Sequence, residues 1–173
     1  MKQEINVWDY APQILQEVGK GVLLTTQADG EVNSMTIGWG TFGVEWGKPL
    51  FVAFVRPCRY THEMIEATGE FTVNIPMGDA GKILGFCGTK SGRDVDKITE
   101  MGLTLVESGN VSVPGIKELP LTLECKKLYK LKQDTAGIPQ DIQARYYPAD
   151  GQGNQDFHFA YYGEIVGAYM ITE

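Results

Sequence analysis

The sequence predicts a mainly β fold: an antiparallel β-barrel of Greek-key type, closed or nearly closed, with short helices between its strands. Two observations carry that prediction. Short apolar or alternating runs recur along the chain, bounded by Gly, Pro, Asn or Asp. Segments with helical spacing are few and brief. No internal repeat and no linker between two cores is visible, so residues 1–173 read as a single domain.

The elements follow in order. Residues 21–26 (Gly-Val-Leu-Leu-Thr-Thr) read as a strand, Ala28-Asp29-Gly30 as its turn, and residues 33–40 as the returning strand of a hairpin. Residues 50–55 form a continuous apolar run, the pattern of a strand covered on both faces, and Pro57 ends it. Thr61 has the chemistry of a helix N-cap, with Glu63 to Ala67 behind it and Gly69 where a left-handed terminator belongs. Residues 71–75 alternate as a strand and stop at Pro76. Short helices fit near 79–86 and 93–101, the second closed by Gly102. Residues 103–106, 121–131 and 157–171 read as strands. Between the last two, residues 134–155 are rich in Gly, Pro, Gln and Asp and read as a long surface excursion.

Bulk composition narrows the function. A chain of 173 residues with 43% hydrophobic and 21% charged residues can build one ordinary core. A net charge of −7 repels nucleic acid and anionic membranes, so neither is an expected partner. No apolar run is long enough to span a bilayer, and the first residues lack a signal-peptide core, which makes the cytoplasm the default compartment. Cys58, Cys87 and Cys125 are odd in number and widely spaced, and only His62 and His158 accompany them. A disulfide framework or a zinc site is therefore not expected.

Four segments carry chemistry. In residues 33–40, Asn33, Met35, Ile37 and Trp39 alternate with Ser34, Thr36, Gly38 and Gly40. The second set is small and hydroxyl-bearing, and glycine inside a strand suits close approach of a flat ring to the backbone. Gly38-Trp39-Gly40-Thr41-Phe42-Gly43 formally matches GxGxxG, but Gly47 and Pro49 follow where that motif needs a helix, so a strand ending in a flexible loop is the better reading. Arg56 and Arg59 precede a helix start at Thr61, a setting that favours an anion. Residues 87–94 form a glycine-rich turn with Lys90, Ser91 and Arg93, and its amides can also serve an anion. His158 stands alone, with no nucleophile assignable beside it, so a hydrolytic triad lacks support.

In order and spacing, these segments resemble the flavin reductase-like family, which has the FMN-binding split-barrel fold, over about residues 18–170. The stretches that carry the resemblance are residues 33–39, residues 56–61, Gly69 to Pro76 and His158 to Val166; Cys87-Gly88 and Ser91-Gly92-Arg93-Asp94 look most like the flavoredoxin branch. The resemblance implies a homodimer that binds FMN. It implies that Ser34, Met35 and Thr36 line the flavin and that Trp39 packs near the ring. Arg59 and Thr61 would hold the phosphate, with Arg56, Lys90 and Ser91 as further candidates. Asn33, Tyr60 and Cys87 complete the implied cofactor set. His158 would stand on the nicotinamide side, as in family members with a Gly-Asp-His sequence; here Asp156 is displaced by one place. The implied activity is electron transfer from NAD(P)H through FMN to an acceptor. The alternative is a flavoredoxin-type carrier that exchanges electrons with a partner protein. Neither version needs a metal.

Overall fold

The computed structural model describes residues 1–172. In chain order the strands are β1 (Lys2–Glu4), β2 (Val22–Ala28), β3 (Glu31–Ile37), β4 (Gly40–Glu45), β5 (Lys48–Val55), β6 (Glu70–Ile75), β7 (Leu105–Val106), β8 (Gly115–Ile116), β9 (Leu121–Lys132) and β10 (Phe159–Ile171). The α-helices are α1 (Ala11–Val18), α2 (Tyr60–Thr68), α3 (Gly81–Thr89), α4 (Lys97–Met101) and α5 (Gln140–Tyr146). No helix among the described residues is long and apolar enough to cross a membrane.

The main sheet is antiparallel, in the order β3-β2-β6-β9-β10-β5-β4, with β1 added along β10. The predicted fold class holds, but the barrel stays open. Its two edges are β3 and β4, consecutive in the chain and joined only by Gly38-Trp39. The sheet curls around Leu24, Phe51, Phe71, Val73, Leu123 and Tyr161, while Ile14 and Val18 of α1 and Ile65 of α2 pack into the same cluster. A second cluster lies on the outer face of β2, where Leu23 meets Cys87, Leu103, Ile116 and Leu119. Val22 and Leu24 belong to the first cluster and Leu23 to the second, so β2 is buried on both faces.

The β2–β3 turn forms as predicted, with Asp29 (φ 51°) and Gly30 (φ 82°) both left-handed, the twist that a two-residue hairpin requires. The flexible loop expected after residue 40 is instead a second hairpin. Strand β4 pairs with β5 from Gly40↔Ala53 to Glu45↔Lys48, and Trp46 (φ 52°) and Gly47 (φ 69°) make the turn. A tryptophan rarely takes that conformation, which is why the turn was not legible. Helix α2 also starts two residues earlier than a cap at Thr61 predicts. Arg59 is its N-cap residue, without a side-chain cap, and Thr61 sits buried in the first turn; Gly69 ends the helix at φ 69° as expected. The excursion of residues 134–155 carries an unpredicted helix, α5.

Candidate functional site

Two adjoining clefts open along the free edge of β3. The inner one, about 110 Å³, is walled by Asn33 and Met35 of β3, by Cys58, Arg59, Tyr60 and Thr61 at the start of α2, and by Cys87, Lys90, Ser91, Gly92 and Lys97 from the α3–α4 segment. The outer one, about 190 Å³, holds Met35, Thr36, Gly38, Trp39, Arg56, Arg59 and His158. Met35 and Arg59 line both. The predicted site residues thus line these two adjoining clefts, with Ser34 as the exception.

Ser34 and Thr36 do not present a hydroxyl surface to a ring. Ser34 Oγ lies 2.7 Å from Thr25 Oγ1 and is fully buried, and Thr36 Oγ1 donates to the Leu84 carbonyl at 2.6 Å. That face of β3 is small because α3 crowds it: a Cβ at Gly88 would come within 3.3 Å of Thr36 Cβ. Gly40 is likewise a packing residue, since a Cβ there would meet the Phe51 ring at 2.6 Å. Gly38 differs, with open space where its Cβ would stand, beside the outer cleft.

The inner cleft has the electrostatics of an anion site. Arg59, Lys90 and Lys97 line it and no carboxylate does, in a chain of net charge −7. The first turn of α2 has no side-chain cap, which leaves backbone N–H groups and the positive helix end for a ligand. Asn33 Nδ2 donates to Thr61 Oγ1 at 3.0 Å, while buried Asn33 Oδ1 has no partner among the described residues. A buried acceptor without a donor is costly unless a ligand satisfies it. Arg93 clamps the loop over this cleft by donating to the Cys58 carbonyl at 3.1 Å and pairing with Glu63.

Lys97 was not legible as a site residue, because a lysine in a short helix reads as a solvated side chain. Here it is 4% exposed, and its Nζ donates to the carbonyls of Ser34 (2.9 Å) and Cys87 (3.0 Å). Burial pulls its ionisation downward, so an anion in the cleft would favour its charged form. Burial pushes the Cys87 thiol up, with Lys97 opposing, so thiolate chemistry is disfavoured.

Arg56 faces the outer cleft but its guanidinium holds the excursion, donating to the carbonyls of Asp156 (2.9 Å) and Tyr146 (2.7 Å). His158 is buried. Burial first, and then the Arg56 charge, push its imidazole down to about 4. Its Nδ1 lies 2.8 Å from Tyr147 Oη, whose own hydrogen goes to Gln133 Oε1 at 3.0 Å. The neutral ring is therefore protonated on Nδ1 and bare on Nε2. Trp39 lies between strands β3 and β4, its ring centroid 5.2 Å from that of His158. His62 is outside both clefts, with Nδ1 2.6 Å from Tyr161 Oη.

A cation-lined cleft joined to a second space along a strand edge suits a phosphate attached to a larger ring system, and comparison with known proteins bears on which family this is. The flavin reductase like domain family matches residues 17–173. The chain belongs to that family. It is 30% identical over 131 residues to an uncharacterized protein of Archaeoglobus fulgidus, covering 75% of this chain and 73% of that one. Among solved structures, a flavoredoxin from Methanosarcina acetivorans is similar with a TM-score of 0.67 and 28% identity, over 87% of this chain and 68% of that one. The FMN-binding domain of a flavin reductases-like enzyme from Shewanella baltica has the same fold, with a TM-score of 0.69 and 19% identity over 98% of this chain and 77% of that one.

Proposed function

We propose that this family member binds FMN in the paired clefts and works as an oxidoreductase, taking electrons from NAD(P)H and passing them to an acceptor. The observation that carries the reading is the inner cleft: three cations, uncapped helix amides and an orphaned buried Asn33 Oδ1, with no opposing carboxylate. That set fits a phosphate monoester with hydroxyls nearby.

When bound, FMN supplies the redox chemistry, accepting a hydride or single electrons. The chain supplies position and charge. Arg59 offers charge-assisted hydrogen bonds to the phosphate, with Lys90, Ser91 and the amides at Tyr60 and Thr61 beside it. Asn33 Oδ1 accepts from a ligand donor, and Lys97, with two of its three hydrogens used by carbonyls, directs positive charge into the cavity. Cys87 contributes wall rather than a nucleophile. Trp39 and neutral His158 border the outer cleft, where the reactive ring and its electron donor would meet.

A homodimer belongs to the same proposal. Val44, Trp46, Tyr129 and Leu131 are exposed, the kind of apolar surface that a second copy covers.

The carrier reading is favoured by one feature: the excursion brings Tyr146 and Tyr147 against Trp39 and His158, narrowing the approach to the outer cleft. Anaerobic mixing separates the two. Bleaching of the flavin visible band by NADH or NADPH within seconds supports the reductase. No bleaching by either, with full reduction by a protein donor, replaces it with the carrier.

A further inference from the structure

A cavity of about 550 Å³ adjoins the inner cleft on the side of the β2–β3 turn. Asn33, Tyr60, Gly92 and Lys97 line both spaces and so form the wall between them. That wall is tightly built. Tyr60 Oη donates to Glu31 Oε2 at 2.9 Å, which straps the start of α2 to β3. The Arg93 guanidinium lies 5.3 Å over the Tyr60 ring and is held by Glu63 and the Cys58 carbonyl. Gly92 packs so closely against Asn33 and Tyr60 that a Cβ has no room. Charge reverses across the wall. Three cations and no carboxylate line the inner cleft, whereas Glu31, Asp94 and Asp96 line the cavity beyond. Asp96 accepts from the Thr99 hydroxyl and from the Thr99 and Ile98 amides, which holds its carboxyl below the ordinary range and charged. The two cations of this cavity are engaged elsewhere: Lys97 on the Ser34 and Cys87 carbonyls, Arg93 on Glu63 and the Cys58 carbonyl.

We propose that this wall makes the chain select FMN over FAD, with Glu31 and Asp94 as the residues that reject the adenylate half. This rests on the flavin reading and adds the residues that discriminate between two flavins. A phosphate monoester ends at the inner cleft and carries close to two negative charges near pH 7, which three cations suit. In FAD the same phosphate is esterified again and loses that second charge. The chain of atoms must then continue through the wall. Its second phosphate would emerge among carboxylates, with no free cation to receive it. Passage would also break the Tyr60–Glu31 bond and displace Gly92. Repulsion built against the wrong ligand adds to the selectivity that attraction to the right one supplies.

The test is calorimetric titration of the flavin-free chain with FMN and with FAD. Wild type should bind FMN at least about a hundredfold more tightly, since each of the three carboxylates near a second phosphate is worth roughly fivefold. Glu31→Gln combined with Asp94→Asn removes two of these charges and keeps an acceptor for Tyr60 Oη. It should narrow the FMN-to-FAD ratio by about tenfold or more. Both positions are exposed and outside the inner cleft, so the fold and FMN binding should stand. Glu31→Ala combined with Asp94→Ala also frees the Tyr60 hydroxyl and should narrow the ratio further. FAD bound as tightly as FMN by wild type, or a ratio unchanged in both variants, overturns the inference while FMN uptake leaves the flavin reading intact. A chain that takes up neither flavin overturns that reading and this inference with it, so FMN titration alone tells the two failures apart.

Discussion

Lys97 Nζ lies 2.9 Å from the Ser34 carbonyl oxygen, so a buried cation on α4 is fastened to the open edge of β3. This contact fixes the position of positive charge in the inner cleft. A charge-assisted hydrogen bond to a ligand is worth about 1.5–3 kcal/mol, so Lys97→Met should weaken FMN binding by about ten- to a hundredfold. The change also strips the Ser34 and Cys87 carbonyls of their donor and should cost about 1–3 kcal/mol of stability. Flavin fluorescence titration and denaturant unfolding measure the two effects. Undiminished FMN affinity would remove Lys97 from the site.

Arg59→Ala should lower affinity for FMN much more than affinity for riboflavin, because its proposed partner is the phosphate. Equal losses for the two ligands would contradict that assignment. Arg56→Ala should behave differently, loosening the excursion through loss of its bonds to Tyr146 and Asp156. Faster proteolysis within residues 134–155 would be its signature.

Gly92 has no room for a side chain: an added Cβ would stand 2.8 Å from Asn33 Cγ and 2.9 Å from Tyr60 Cδ1. Gly92→Ala should therefore displace the loop or Asn33, costing about 1–3 kcal/mol and lowering FMN affinity. A stable variant with native affinity would show that the loop yields freely.

His158 gives a pH signature. Its folded imidazole titrates at about 4, against about 6.5 in an unfolded chain. The unfolded chain gains a proton between these values that the folded chain refuses. The contribution of neutral His158 is thus complete above about pH 6.5 and fades as pH falls toward 4, on the order of 3 kcal/mol in all. Unfolding free energies of wild type and His158→Gln should converge over that window, with the variant showing the shallower decline. Parallel curves would mean that His158 is not buried in its neutral form.

Much of this site was legible from residue type and order. Arg59, Lys90, Ser91, Asn33 and Met35 were singled out from the chain, and the fold brings them to one cleft. Period-two alternation separated the two faces of β3 but could not tell which one would be covered, so Ser34 and Thr36 looked available when Thr25 of β2 had already paired with the first and α3 with the second. The β4–β5 hairpin was hidden by a tryptophan in a left-handed turn position. Lys97 and Gln133 act through burial and through partners about 63 and 25 residues away, which no local pattern records.

Everything proposed for the redox site rests on the inner cleft holding the phosphate of FMN. The direct measurement is an absorbance spectrum of the purified chain, followed by titration of its flavin-free form with FMN and with riboflavin. A yellow protein is expected, or one that turns yellow on saturable uptake of FMN, with FMN bound far more tightly than riboflavin. A colourless protein that ignores added FMN, or one that binds both flavins equally, would contradict it.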